Sequence, residues 1–389
     1  MKIVFATLFN LNDINRGSGT YYAICEKLID EGHLVHKIQP VNLEFPFLTK
    51  FFRFISKRIF RMRYRSYQDP FIARVIGNEV KQLIQNLDYD ILLTNDYSIA
   101  GYTETDKPII LWTDAVFPYN YSENQHPWLE NLPWFCVKFC QSVVKRALNN
   151  INLLFVPSEW SKKKISEYDI IENHLMSVLP FGSNLDDPGS SISQSRDFNK
   201  IVNKREIRFL FVGKYWLLKG GDIAVRTVKE LNKMNIRSTL DIIGIENDNN
   251  EYGDDNIIFH GFIDKNDIKS MEKMITLYKR SDIFILPSIA EGFGISYVEA
   301  ASFGLPSLGF KTMGVTTAVK MDKSGILIEL NDNPDRFIDI IINWIKKPYL
   351  YNQLALNSRI HYEKNGNWEH LISNLIEKIE NSLSTPQYH

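Results

Sequence analysis

Three cysteines in 389 residues are too few and too odd in number to make a disulfide framework. Cys25, Cys136 and Cys140 have no histidine partners at zinc spacing, so a reducing compartment, the cytoplasm, is expected. The eight histidines form no H-E-x-x-H or comparable cluster, and no metal or other cofactor is expected. No run approaches about 18 uncharged apolar residues, which excludes a membrane-crossing helix. Met1-Lys2 leads straight into the apolar run Ile3 to Phe9, unlike a signal peptide, so export by an N-terminal signal is not expected. Charge of one sign is lacking too: 45 Lys and Arg against 46 Asp and Glu give a formal net charge of −1, which removes any global argument for nucleic-acid binding. Neither a G-x-S-x-G elbow nor a Walker loop is present. Asp88-Tyr-Asp90 looks like the D-x-D of metal-dependent transferases, but it precedes a strand, the wrong end for a ligand.

What is present is an alternation of apolar runs and helical patterns along the whole chain, the mark of parallel sheets covered by helices. A first set has strands near 2–9, 34–39, 91–94, 109–112, 152–156 and 176–180. A second has strands near 207–212, 238–244, 256–259, 283–286, 306–310 and 325–328. Helices alone follow, near 334–346, 349–362 and 367–383. This predicts an α/β chain with a first domain over 1–182, a polar linker over 183–204, a second domain over 205–365 and a terminal segment over 366–389.

The stretch from Pro287 to Pro306 carries the most chemistry. Ile283 to Leu286 reads as a buried strand ended by Pro287-Ser288, and Gly292 and Gly294 delay regular helix until about Ile295. Glu291 is therefore expected on a loop and Glu299 inside the following helix, which stops at Gly304 with Pro306 beyond. The unpaired amides and positive dipole end at that helix start make an anion site, and the glycines let a phosphate or sugar approach the main chain.

Pro-Ser before the two glutamates, Gly-Phe-Gly between them and Gly-Leu-Pro after them resemble the E-x7-E signature of family-four retaining glycosyltransferases. The resemblance implies the GT-B fold: two facing Rossmann-like domains, the last helix crossing back onto the first, the acceptor on the first domain and the donor on the second. It implies that Glu291 contacts hydroxyls of the donor sugar, that Gly292, Phe293 and Gly294 lend backbone amides beside Ile295, and that Glu299 grips the ribose hydroxyls. A second patch agrees. Arg208 to Val212 reads as a strand running into Gly213-Lys214 and then Lys219-Gly220-Gly221, and by resemblance Lys214 and Lys219 pair with the donor diphosphate. Fixed cations there stabilise charge growing on the leaving group; taken singly, either lysine reads more readily as a solvated surface charge, and their position relative to both glycines reverses that reading. Base recognition near His260-Gly261-Phe262 is expected to use main-chain atoms.

The first domain is less explicit. Gly17-Ser18-Gly19 opens a helix after a strand and either takes a phosphate or forms a tight turn; it lacks the third glycine of a dinucleotide fingerprint, and by resemblance it lies beneath the donor diphosphate. Asp114, at the carboxyl end of strand Pro108 to Trp112, is the catalytic candidate beside Glu291 and Lys219, or else caps the following turn. Relatives carry a histidine or His-Asp pair near this point, whereas this chain has Thr113-Asp114. Domain closure is expected to bring Asp114 near Glu291. Tyr119, Tyr121, His126 and Trp128, within Phe117 to Trp134, either line an acceptor pocket or pack as an ordinary loop. Lys50 to Arg65 holds seven basic residues and no acid. It is expected as one amphipathic helix, with Phe52, Ile55, Ile59 and Met62 on one face and Arg53, Lys57, Arg61 and Arg65 on another. Such a helix lies on anionic lipid as a peripheral anchor, holds an anionic acceptor, or packs its apolar face inward.

The expected activity is transfer of a hexose, with retention and without a metal, from a UDP- or GDP-linked sugar to a hydroxyl of a glycan, glycolipid or polysaccharide precursor. The rivals are a sugar-nucleotide epimerase of the same fold and a silent subunit that binds the nucleotide sugar.

Overall fold

The structure is a computed structural model that describes residues 1–40, 44–114, 116, 117, 119, 131–194, 196–203, 206–246 and 254–384. Its contacts divide the chain into two units. One comprises Met1–Gly17, Tyr21–Leu179 and the chain from Ile372 on; the other comprises Ser18–Thr20 and Pro180–Leu371.

In the first unit the strands are β1 (Lys2–Ala6), β2 (Leu34–Ile38), β3 (Ile91–Thr94), β4 (Ile109–Trp112), β5 (Leu153–Val156) and β6 (Met176–Val178). They form one six-stranded sheet in the order β2-β1-β3-β4-β5-β6, and every pairing is parallel. The central strands are short uninterrupted apolar runs, such as Ile-Leu-Leu-Thr in β3 and Ile-Ile-Leu-Trp in β4, buried along their whole length. Helices cover both faces of such a sheet, which explains why these strands show no polar alternation. The helix Pro70–Ile84 contributes Ile72, Ile76, Val80 and Ile84 to this core, and its start is capped by Asp69, whose Oδ1 accepts from the amides of Phe71 and Ile72 at 2.8 and 2.9 Å.

In the second unit the strands are β7 (Ile207–Val212), β8 (Ser238–Ile243), β9 (Ile257–Phe259), β10 (Ile283–Leu286), β11 (Ser307–Lys311) and β12 (Gly325–Glu329). Their order is β12-β11-β10-β7-β8-β9, again all parallel. Sequence order runs outward from β7 in one direction through β8 and β9, then restarts at β10 and runs the other way. The strand order therefore reverses between β7 and β10, and an open sheet leaves a crevice at the carboxyl ends of the two strands flanking such a reversal. Within 183–204 lie two short helices, Ser191–Gln194 and Phe198–Asn203. Phe198 is fully buried against Trp344 and Tyr351 of this unit.

Three helices close the chain, Arg336–Lys346, Pro348–Asn365 and Trp368–Ser384. The last begins in the second unit and, from Ile372 on, groups with the first, where Ser373 donates to Glu31 at 3.1 Å. This is the expected return of the final helix.

One expected element differs. The basic helix runs from Phe47 to Arg58, not through 65, because Arg61 adopts a left-handed conformation with φ of 54°. The amide of Met62 turns back onto the Ser56 carbonyl at 2.9 Å. Phe52 and Ile55 pack against the core, but Ile59 is exposed and Met62 lies beyond the helix.

Candidate functional site

The crevice at β7 and β10 is built by main chain before any side chain enters it. β7 ends at Val212 and Gly213 follows; its amide donates to the Ile243 carbonyl at 3.0 Å. A one-turn helix, Trp216–Lys219, then leads to Gly220, which caps it in the left-handed conformation at φ 70°. A Cβ at Gly220 would overlap the carbonyl oxygen of Pro287, so only glycine lets these two loops touch. The amide of Ile289 donates to the Leu218 carbonyl at 2.9 Å. Two loops distant in sequence are thereby fastened side by side, one carrying Lys219 and the other Glu291.

The side chains meet as a result. Lys219 Nζ is paired with Glu291 Oε2, and both are only about one-sixth exposed, at 16% and 17%. The stem of Lys219 lies over Gly213, where an added Cβ would come 3.0 Å from its Cγ. Ser288 donates weakly to the same carboxylate at 3.4 Å, and the Glu291 carbonyl accepts from the Gly314 amide at 3.0 Å. Gly294 stands at φ 94° as the residue before the helix Ile295–Ser302. That helix is anchored to the strand it follows: Tyr297 donates its hydroxyl to the Leu286 carbonyl, and burial, then the nearby Glu291 charge, push this phenol well above its usual range. Phe293 is buried edge-on to Phe181, with ring centres 6.0 Å apart.

Glu299, in the second turn of that helix, is 1% exposed. Its Oε1 accepts from Lys265 Nζ at 2.9 Å and its Oε2 from the Tyr278 hydroxyl at 3.0 Å. Burial, then the Glu299 charge, hold the Tyr278 phenol well above its usual range, so it stays a donor. Each carboxylate oxygen keeps a second lone pair for a further hydroxyl. Lys265 also reaches the Ser18 carbonyl at 3.4 Å, and Asn184 Nδ2 donates to that oxygen at 2.9 Å. Lys214 extends over the ring of Phe262, 4.9 Å from its centre, and the Phe262 amide donates to Glu246 Oε1 at 2.9 Å.

Gly17, Ser18 and Gly19 form a tight turn with φ values of 54°, 58° and 92°, three successive residues in the left-handed half of backbone space; Gly17 groups with the first unit, Ser18 and Gly19 with the second. Gly17 packs on Tyr21, whose ring a Cβ at 17 would strike. The Tyr21 hydroxyl donates to Asp114 Oδ1 at 3.3 Å, and burial, then the Asp114 charge, raise that phenol. Asp114 is exposed, two residues past β4. Tyr121, His126 and Trp128 lie outside the described residues; Tyr119 is exposed and stacks edge-on with Tyr168 at 5.2 Å.

Of the residues singled out from sequence, Gly213, Lys219, Glu291 and Gly294 thus converge at one reversal point, with Glu299 further along the helix they introduce. Lys265 and Tyr278, which hold Glu299, had no signal in the sequence. A lysine in the loop after β9 reads as solvated, and a tyrosine on the face of the helix Ile268–Arg280 reads as core.

Residues 193–361 match the family described as glycosyl transferases, group 1. The chain is 31% identical over 197 residues to UDP-Gal:alpha-D-GlcNAc-diphosphoundecaprenol alpha-1,3-galactosyltransferase of Escherichia coli, covering 47% of this chain and 48% of that one. It spans about half the length of the curated relatives it matches. In fold it is similar to the sucrose-phosphate synthase of Thermosynechococcus elongatus, with a TM-score of 0.71 at 16% identity, covering 99% of this chain and 100% of that one. It is also similar to HepE of Anabaena, solved in complex with UDP and glucose, with a TM-score of 0.63 at 15% identity over 98% and 99% of the two chains.

Proposed function

We propose that this chain transfers a hexose from a nucleoside diphosphate sugar to an acceptor hydroxyl with retention of anomeric configuration. The observation that carries the proposal is the contact between Lys219 and Glu291 at the reversal point of the second sheet. A nucleotide sugar presents an anionic phosphate one bond away from a hexose rich in hydroxyl donors. A cation and a carboxylate in contact match that sequence of charges, and the amides at Gly292 to Gly294 and the helix start they precede favour the phosphate.

In this reading Lys219, joined by Lys214 once it leaves Phe262, neutralises charge that grows on the diphosphate as the glycosidic bond breaks. Glu291 accepts from hydroxyls of the sugar, and Glu299 accepts from the ribose with the lone pairs Lys265 and Tyr278 leave free. The acceptor proton passes to the departing phosphate oxygen on the same face, so no protein nucleophile and no metal is required. Asp114, with Tyr21 donating to it, keeps its candidate catalytic role. UDP is the favoured nucleotide, since the E. coli relative carries UDP-Gal in its name and the Anabaena neighbour was solved with UDP. The same relative favours a glycan or lipid-linked acceptor.

The test is a thermal-shift panel of UDP- and GDP-sugars, because a ligand that binds only the folded state raises its melting temperature, followed by product analysis of the best binder. A shift with at least one donor and transfer that requires an acceptor are expected. Conversion of the donor to an isomer without acceptor would make the chain an epimerase, and no shift with any donor would remove the proposal.

A further inference from the structure

The helix Phe47–Arg58 has two apolar sides, and only one is used by the fold. Thr49, Phe52 and Ser56 turn inward: Thr49 and Ser56 are fully buried, and Phe52 contacts Phe71, Phe135 and Phe139 with ring centres 6.0, 5.3 and 5.0 Å away. The opposite side repeats phenylalanine at 47, 51 and 54, the spacing that stacks side chains along one stripe. Phe47 is 78% exposed and Phe54 60%. Phe47 stacks on Phe51 at 6.2 Å, and Phe51 meets Phe52 edge-on at 5.6 Å. The apolar surface continues past the helix: Ile59 and Phe60 are exposed, Phe60 leans on Phe135 at 5.8 Å, and Phe135 touches Trp134, 72% exposed, at 5.9 Å.

Cations border this surface. Lys50, Arg53, Lys57, Arg58, Arg61 and Arg63 are all exposed, and among the described residues none of them forms an ion pair. No acidic residue occurs between Glu44 and Asp69. A basic face left in water needs no phenyl rings beside it, and neither does a site for a soluble polyanion. Rings flanked by lysine and arginine, with a tryptophan at the margin, are what the boundary between acyl chains and anionic headgroups selects. No helix among the described residues is long and apolar enough to cross a membrane.

We propose that this surface seats the first unit on an anionic lipid bilayer, the phenyl stripe entering the acyl boundary and the bordering cations meeting phosphate headgroups. The proposal does not depend on the donor reading, since it concerns a different surface and is measured without turnover.

The full chain is floated with phosphatidylglycerol–phosphatidylcholine vesicles and with pure phosphatidylcholine vesicles, at low and high salt. Binding to the anionic vesicles that weakens with salt is expected. The triple variant Phe47→Ser, Phe51→Ser, Phe54→Ser and the triple variant Lys50→Glu, Arg53→Glu, Lys57→Glu should each lower partitioning by about tenfold or more. Should either fail to fold, a single Trp134→Cys protein labelled with an environment-sensitive dye reports the same contact through a blue shift on adding anionic vesicles. No flotation at low salt, or no blue shift, would overturn the proposal. So would equal binding to neutral vesicles, or flotation unaffected by loss of the phenyl groups. Retention on soluble dextran sulfate without vesicle binding would overturn it in favour of a polyanion.

Discussion

Glu299 and Lys219 are both charged groups in one crevice, yet their surroundings assign them different work. Glu299 is buried inside a helix with both oxygens already accepting, which suits holding a ligand in place; Lys219 is part exposed and answers to a single carboxylate. Glu299→Ala should weaken donor binding by about tenfold, the worth of one charged hydrogen bond, with turnover largely kept at saturating donor. Lys219→Ala should lower kcat by about 100-fold, since it removes charge stabilisation that matters most in the transition state. Steady-state kinetics separate the two, and unchanged parameters in both variants would remove these roles. Asp96 gives a pH prediction. Burial raises its carboxyl from 3.8 to about 6, although it accepts from the amides of Ser98 and Ile99 at 2.8 and 3.2 Å. The folded state therefore holds this proton more tightly than the unfolded chain does. That contribution to stability is complete below pH 3.8 and is lost as pH rises through about 6, a change on the order of 3 kcal/mol at most. Asp96→Asn keeps the acceptor and cannot ionise, so its melting temperature should gain on the wild type between these limits; equal slopes for the two proteins would contradict the assignment.

At the scale of elements, glycine positions decide whether the crevice exists. Gly220→Ala should destabilise the chain by about 1–2 kcal/mol from the left-handed backbone alone, and the overlap with the Pro287 carbonyl should add to this and push the Lys219 and Glu291 loops apart. A lower melting temperature together with a lost donor response is expected; a variant with both intact would show that the loop contact is not needed. The elements themselves were largely legible. Fully buried parallel strands leave uninterrupted apolar runs, so β3, β4, β5 and β10 can be read from composition, and Gly294 and Gly304 bracket their helix at φ 94° and 65°, which glycine alone adopts without strain. The basic helix was read too long because Arg61, not a glycine, takes the left-handed turn that ends it. Its outer phenyl stripe was hidden by the same fault, since a helix through 65 assigns Phe52, Ile55, Ile59 and Met62 to one face. Lys265 escaped notice because its partner, Glu299, is 34 residues away, and only the fold brings the two together.

For the whole molecule, two units with similar sheets carry different equipment. The second holds the cation–carboxylate contact at its strand reversal; the first carries Gly17, Asp114 and the basic aromatic surface. A net charge near zero means that neither phosphate recognition nor lipid attraction comes from the protein's overall field, so both rest on local clusters, which substitution can remove one at a time. Anionic-vesicle binding should accordingly survive loss of Lys214 and Lys219, and nucleotide binding should survive loss of the phenyl stripe. The central claim is that the reversal point of the second sheet holds a nucleoside diphosphate. Calorimetric titration of UDP and of GDP into the wild type and into the double variant Lys214→Ala, Lys219→Ala tests it most directly. One of the two nucleotides should bind the wild type, and the double variant should bind it at least about 30-fold more weakly. Absence of binding to the wild type, or equal affinity in the double variant, would contradict the account.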